Sequence, residues 1–270
     1  MKQPKGLALY AVIYLIFLYA PIILLPLFAF NDSSIIAFPL SGFTTKWFSE
    51  LTEVEALRVA LFNSLFIAVI TSILATLLGM MAARASTRYR FPVQGPIMGM
   101  IMLPLVLPEI IVAVSLLVVV VQLLDMPLSS WTVIAAHTLI CVPFSIAILN
   151  GSFSNLDRSL EEAAIDLGET RWGSFRHITL PLVTPGIIAS LLISFTISLD
   201  EFIIAFFLTG NAPTLPVYIW GLLRFPERLP VIMALGTILV AASIVIITIA
   251  ELIRRRGVAR AGQEDSGGFL

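Results

Sequence analysis

Three acids stand inside stretches that are otherwise hydrocarbon: Glu109 in "LPLVLPEIIVAVSLL", and Asp200 with Glu201 in "SFTISLDEFIIAFFLTG". An ionisable group at membrane depth is expensive and as a rule faces a protein interior or a wet cavity. No Lys or Arg within the same apolar runs balances these three, a pattern that repels an anion and favours an ammonium group. The competing reading is structural: hydrogen bonding to backbone freed by Pro104 and Pro108, or pairing with an arginine from a partner subunit. Adjacent positions on a helix point about 100° apart, so Asp200 and Glu201 are poorly placed as the paired carboxylates of an intramembrane hydrolase.

Other chemistry lacks its residues. A chain that hydrolysed ATP itself would need a phosphate loop with a Gly-Lys-Ser/Thr core, yet the lysines stand at 2, 5 and 46 and none follows a glycine. Energy for any transport must then come from a partner or from an ion gradient, and no cofactor of the chain's own is expected. The histidines, His137 in an apolar run and His177 in a polar one, are far apart, and Cys141 is the only cysteine, so no metal-ligand cluster is expected. His137 is read as a packed intramembrane polar group, His177 as a surface residue and Cys141 as inert packing.

The elements that hold the acids follow from composition. Of 270 residues 59% are hydrophobic and 12% charged, where a soluble domain carries about 25% charged residues. About 20 apolar residues cross a hydrocarbon core, and six stretches qualify: roughly 8–30, 59–83, 96–121, 131–150, 184–209 and 229–253. The run from Leu7 to Phe30 exceeds a signal-peptide core and is read as a retained anchor. With the N-terminus cytoplasmic, 12 basic residues (Lys2, Lys5, Arg84, Arg88, Arg90, Arg158, Arg171, Arg176, Arg254, Arg255, Arg256, Arg260) fall inside and 4 (Lys46, Arg58, Arg224, Arg228) outside, which sets the orientation. The expected fold is all-α: one polytopic membrane domain over 1–270, six transmembrane helices, both termini cytoplasmic, loop 151–183 also cytoplasmic and a disordered tail at 257–270. Membrane lipid is an expected partner and nucleic acid is not. Straight helices rising about 1.5 Å per residue put Glu109 roughly 20 Å, and Asp200 with Glu201 roughly 24 Å, above the cytoplasmic ends of their spans. Pro104, Pro108 and Pro143 are expected to kink their spans, as packing bends or as breaks that line a pathway.

The loop "SLEEAAIDLGETRWGSFRHITLPLVTPG" reads as a helix, a glycine and a second helix. Ser159 and Glu162 have the spacing of a capping box. Leu160, Ala163, Ala164 and Leu167 recur on one face while Glu161, Asp166 and Glu169 point away. Gly168 is placed as a left-handed stop. Thr170 can cap the second helix, which carries Trp172 and Phe175; Pro181 ends it, and Pro185 enters the first turn of the fifth span. Its acidic first helix favours docking into a protein over lying on an anionic leaflet.

The spacing E-A-A-x3-G-x9-I-x-L-P within this loop, filled by Glu162, Ala163, Ala164, Gly168, Ile178, Leu180 and Pro181, resembles the motif of membrane permeases of binding-protein-dependent ABC importers. The resemblance runs from about the second span onward, where "LFNSLFIAVITSILATLLGMMAARA" is similar to the family's core segment. It implies that the loop is a coupling helix seated in a cytoplasmic ABC ATPase, which binds the ATP. It also implies a second homologous permease subunit, an extracytoplasmic substrate-binding protein and a bacterial inner-membrane location. The segments around Glu109 and around Asp200 and Glu201 resemble the spermidine/putrescine branch. Members of that branch more often carry two aspartates where this chain has Asp200 and Glu201, a departure that keeps the charge and leaves the particular polyamine open. A permease for another small solute, or an ion-coupled secondary transporter using the three acids, is the alternative.

Overall fold

The computed structural model describes residues 5–89 and 92–260; Lys2, Arg90 and tail positions 261–270 lie outside them. Among the described residues five helices are long and apolar enough to cross a membrane, and a sharply bent pair makes a sixth crossing if counted as one span. The chain divides into two compact units, one formed by 1–55 with 219–270 and the other by 56–218.

In the first unit α1 (Lys5–Ala29) and the short α2 (Lys46–Glu53) both pack on α12 (Leu229–Arg260). α12 stays helical through Gly257–Arg260, so the expected tail cannot begin at 257. The loop after α1 is pinned by Trp47, whose indole N–H donates to the Asn31 carbonyl at 2.7 Å. Phe30 stacks between Phe43 and Phe48 beside it.

The second unit is built on α3 (Glu55–Arg88), α6 (Ser130–Ser154) and α9 (Leu180–Asp200). Ser190, Ser194 and Ser198, spaced by four, put three hydroxyls on one face of α9. They meet Thr76 of α3 at 3.0 Å, Ser145 of α6 at 3.0 Å and His137 of α6 at 2.8 Å. Lipid gives helices no hydrophobic reason to associate, so small residues and interhelical hydrogen bonds supply the adhesion. Gly79 illustrates the tightness: a Cβ there would lie 2.5 Å from the Ser145 Cβ.

Two of the expected spans are not single helices. The span placed at 96–121 is α4 (Gln94–Met102), a 3₁₀ turn (Leu103–Leu105) and α5 (Glu109–Val118) with a π turn to Leu123, bent by 102° between its halves. Pro104 and Pro108 cannot donate backbone N–H groups, and Pro108, with ψ 130°, is the cap from which α5 starts afresh. The span placed at 184–209 begins far earlier, since helix runs without interruption from Arg171 to Asp200 through a π turn at Phe175–Thr179. Pro181 does not end the preceding helix. It sits directly after the π turn, at the second residue of α9, and Pro185 lies four residues further into the same helix. α9 then stops at Asp200, Glu201 is extended (φ −65°, ψ 123°), and α10 (Ile203–Leu208) and α11 (Leu215–Leu222) follow.

Candidate functional site

The two breaks face each other. Glu109, Asp200 and Glu201 all line one cavity of about 610 Å³, with Pro104, Phe144 and Phe202 among its walls. The breaks bring the acids together; depth counted by helical rise does not apply across a 102° bend. Glu109 is the first residue of α5 and is exposed, at the helix end where the backbone dipole favours an anion. Asp200, the last residue of α9, is exposed too.

Glu201 differs from both. It is 8% exposed, and its two carboxylate oxygens accept from the backbone N–H groups of Ile204 at 3.0 Å and Ala205 at 3.1 Å. These are orphan donors of the first turn of α10, which the Glu201 side chain satisfies from the position before the N-cap residue, Phe202. The expectation of two acids splayed by about 100° on one helix fails, because Glu201 has left the helix. His137 Nε2 lies 3.2 Å from the same carboxylate, a close approach across the ring edge. No Lys or Arg is among the described lining residues, so the cavity offers two exposed carboxylates beside aromatic faces, surroundings that suit an ammonium group.

The second candidate region is the helix pair α7 (Arg158–Asp166) and α8 (Arg171–Ser174). The cap of α7 is Asp157, not Ser159: the Asp157 side chain accepts from the Ser159 N–H at 3.0 Å. That bond to the charged form holds its carboxyl below the usual aspartate value. The helix is thus capped two residues before Ser159, which lies inside its first turn, and the Ser159–Glu162 box does not form. Gly168 ends the turn at φ +94°, and Thr170 caps α8 by accepting from the Gly173 N–H at 3.0 Å.

The expected faces of α7 are exchanged in part. Glu161 points inward, its carboxylate 2.9 Å from Arg88 Nε at the end of α3, with side chains 18% and 11% exposed respectively. Thr179 donates its hydroxyl to the same carboxylate, and Arg84 of α3 covers the Phe175 ring at 4.0 Å. Leu160 and Leu167 face outward, Leu167 at 89% exposure, and so does Trp172. Glu162 and Ala163 are exposed, Ala164 is buried, Ile178 and Leu180 are half-buried, and Pro181 is exposed. A small polar cavity of about 310 Å³ opens between α3 and this pair, walled by Arg84, Arg88, Arg158, Arg171, Glu161 and Glu162. His137 is the packed polar group expected from sequence, but its partners, like the inward turn of Glu161, escaped sequence reading because they are remote in the chain.

Apolar helices broken around an acid-lined cavity, with a polar helix pair held at one helix end, define a multi-pass membrane transport protein. The chain belongs to the family described as binding-protein-dependent transport system inner membrane component, whose sequence profile matches residues 75–260. It is therefore an importer permease of the ABC class. It is 36% identical over 240 residues to the spermidine/putrescine transport system permease protein PotC of Escherichia coli K12, covering 88% of this chain and 90% of that protein. It is also 36% identical over 233 residues to the putrescine transport system permease protein PotI of the same strain, with coverage of 84% and 82%. A bacterial alginate ABC transporter solved in complex with an alginate pentasaccharide-bound periplasmic protein shares the fold, at a TM-score of 0.72, 22% identity and 93% coverage of each chain.

Proposed function

We propose that this chain is the membrane permease of an ATP-driven importer of polyamines, or of a closely related small cation, in a bacterial inner membrane. The observation that carries the reading is the cavity in which Glu109 and Asp200 stand exposed with no basic residue among the described lining. Each carboxylate can accept a charge-assisted hydrogen bond from an ammonium group, while the aromatic walls cover the alkylene chain between such groups. The names of the PotC and PotI relatives support the same cargo.

The chain binds no cofactor and breaks no bond. A cytoplasmic ABC ATPase grips the outward apolar residues Leu160, Leu167 and Trp172 together with Glu162, and ATP-driven closure of that partner moves α7 and α8. The Arg88–Glu161 pair passes the motion into α3. A second homologous permease completes the translocation path, and an extracytoplasmic binding protein delivers cargo.

The test is uptake by the purified complex in liposomes loaded with ATP. The expected result is accumulation of labelled putrescine or spermidine that requires the binding protein and an ATPase co-purifying in stoichiometric amount. Uptake of an anion such as sulfate, or uptake driven by an ion gradient without any ATPase, would overturn the reading.

A further inference from the structure

Nothing in the local sequence explains why α9 stops where it does. The residues Leu199, Asp200, Glu201 and Phe202 include no proline and no glycine, and in a membrane a helix break exposes backbone groups that must find partners. Glu201 supplies acceptors for two of them. What holds Glu201 itself comes from another helix. His137 of α6 is 0% exposed, and its ring reaches both sides of the break. Nδ1 meets the Ser198 hydroxyl, in the last turn of α9, at 2.8 Å. Nε2 lies 3.2 Å from the carboxylate of Glu201, just beyond the turn. Asp200 lies between these two anchors, next to Glu201.

We infer that His137 is a positioning residue for cargo recognition: its imidazole staples Ser198 to Glu201 across the break and thereby fixes Asp200 toward the cavity. It touches no cargo. Without it the last turn of α9, which carries Asp200, has no side-chain tie to the backbone beyond the break and frays, which carries Asp200 off the cavity wall. A second consequence follows from the same contacts. Glu201 is engaged by two N–H groups and the imidazole, so the cavity presents two available carboxylates, Glu109 and Asp200, rather than three. The cargo aspect of this inference rests on the polyamine reading; the positioning aspect does not.

The test separates the two. In a Cys141→Ala background, Asp200→Cys is labelled with a cationic thiosulfonate reagent in the assembled complex, with and without a change at His137. His137→Leu is expected to change the labelling rate several-fold. His137→Gln, whose amide can still reach both Ser198 and Glu201, is expected to leave it near that of the parent. In the native background, His137→Leu is expected to raise the KM for polyamine uptake about tenfold, the effect of losing one charge-assisted contact, with a smaller change in maximal rate. His137→Gln should restore most of the KM. Ser198→Ala, a milder loss of one anchor, should give an intermediate KM if the leucine variant fails to reach the membrane. His137→Leu combined with Glu201→Gln should be no worse than the more damaging single change.

Labelling and KM that stay at parental values in both His137→Leu and Ser198→Ala would overturn the positioning role. So would a glutamine variant as defective as leucine, since that would show shape alone to matter. A parental complex that carries no polyamine, together with labelling that responds to His137→Leu, would remove the cargo reading and leave the staple standing.

Discussion

Within the described residues two acids twice stand side by side, Glu161 with Glu162 on α7 and Asp200 with Glu201 at the end of α9, and in each pair the carboxylates meet opposite surroundings. Glu161 turns inward to Arg88 and Thr179, and Glu162 is exposed. In the second pair the order is reversed: Asp200 faces the cavity, and Glu201 is buried against two backbone N–H groups and His137. The neutralising partner differs with depth. Near the end of α3 a guanidinium answers the inward acid, whereas among the apolar helices two backbone amides and a histidine ring edge do so. One acid of each pair is held within the chain, leaving the other exposed.

The sharpest way to break this comparison is to exchange roles within a pair. Asp200→Asn keeps the shape and removes the outward charge, so uptake should fall ten- to hundredfold, the equivalent of about 1.5–3 kcal/mol for a charge-assisted contact. Transport assays with membrane levels checked by immunoblot would read it, and unaltered uptake would deny Asp200 its role. Glu109→Gln should act in the same direction.

On α7 the inward acid matters most for structure. Glu161→Ala strands a half-buried Arg88 and should loosen α7 and α8 by about 2 kcal/mol, seen as faster deuterium exchange across 158–180. Reversing the pair, with Arg88→Glu and Glu161→Arg together, should recover part of that protection. Glu162→Lys should leave exchange unchanged and instead weaken retention of the ATPase on purification several-fold, to be measured by the ATPase-to-permease ratio.

The smallest effect is expected at Asp157. Its carboxyl is held below the ordinary value of 3.8 in the folded state by the Ser159 N–H. The stabilisation from the charged cap is therefore complete above that ordinary value and fades as pH falls through the lower, folded one. Asp157→Asn keeps an acceptor but cannot titrate, so its melting temperature should fall less than that of the parent on acidification below 3.8.

What the sequence disclosed was local. The apolar stretches, Gly168 as a left-handed stop and Thr170 as a cap can be read from a few adjacent residues, because their physics acts within one turn. The bend at 103–108 was half legible: two prolines mark it, but prolines alone do not distinguish a kink from a break of 102°. The stop at Asp200 was illegible, for no breaker residue stands there and its determinant, His137, lies on another helix. Glu161 was misread for the same reason. Helical periodicity assigns an acid to the polar face, and only contact with Arg88 reveals that the polar face is here the inner one.

The π turn at Phe175–Thr179 gives the motif spacing a geometric meaning. A π turn holds one residue more than an α turn, so it amounts to an insertion that rotates everything before it by about 100° relative to α9. The azimuth at which Leu167 and Trp172 are presented is thus stored as a count of residues, not as any side chain. Drift in composition between Gly168 and Ile178 leaves that angle untouched, while the loss of a single residue there would turn the whole pair by about 100° relative to α9. The nine unspecified positions of the motif are, in this sense, a ruler.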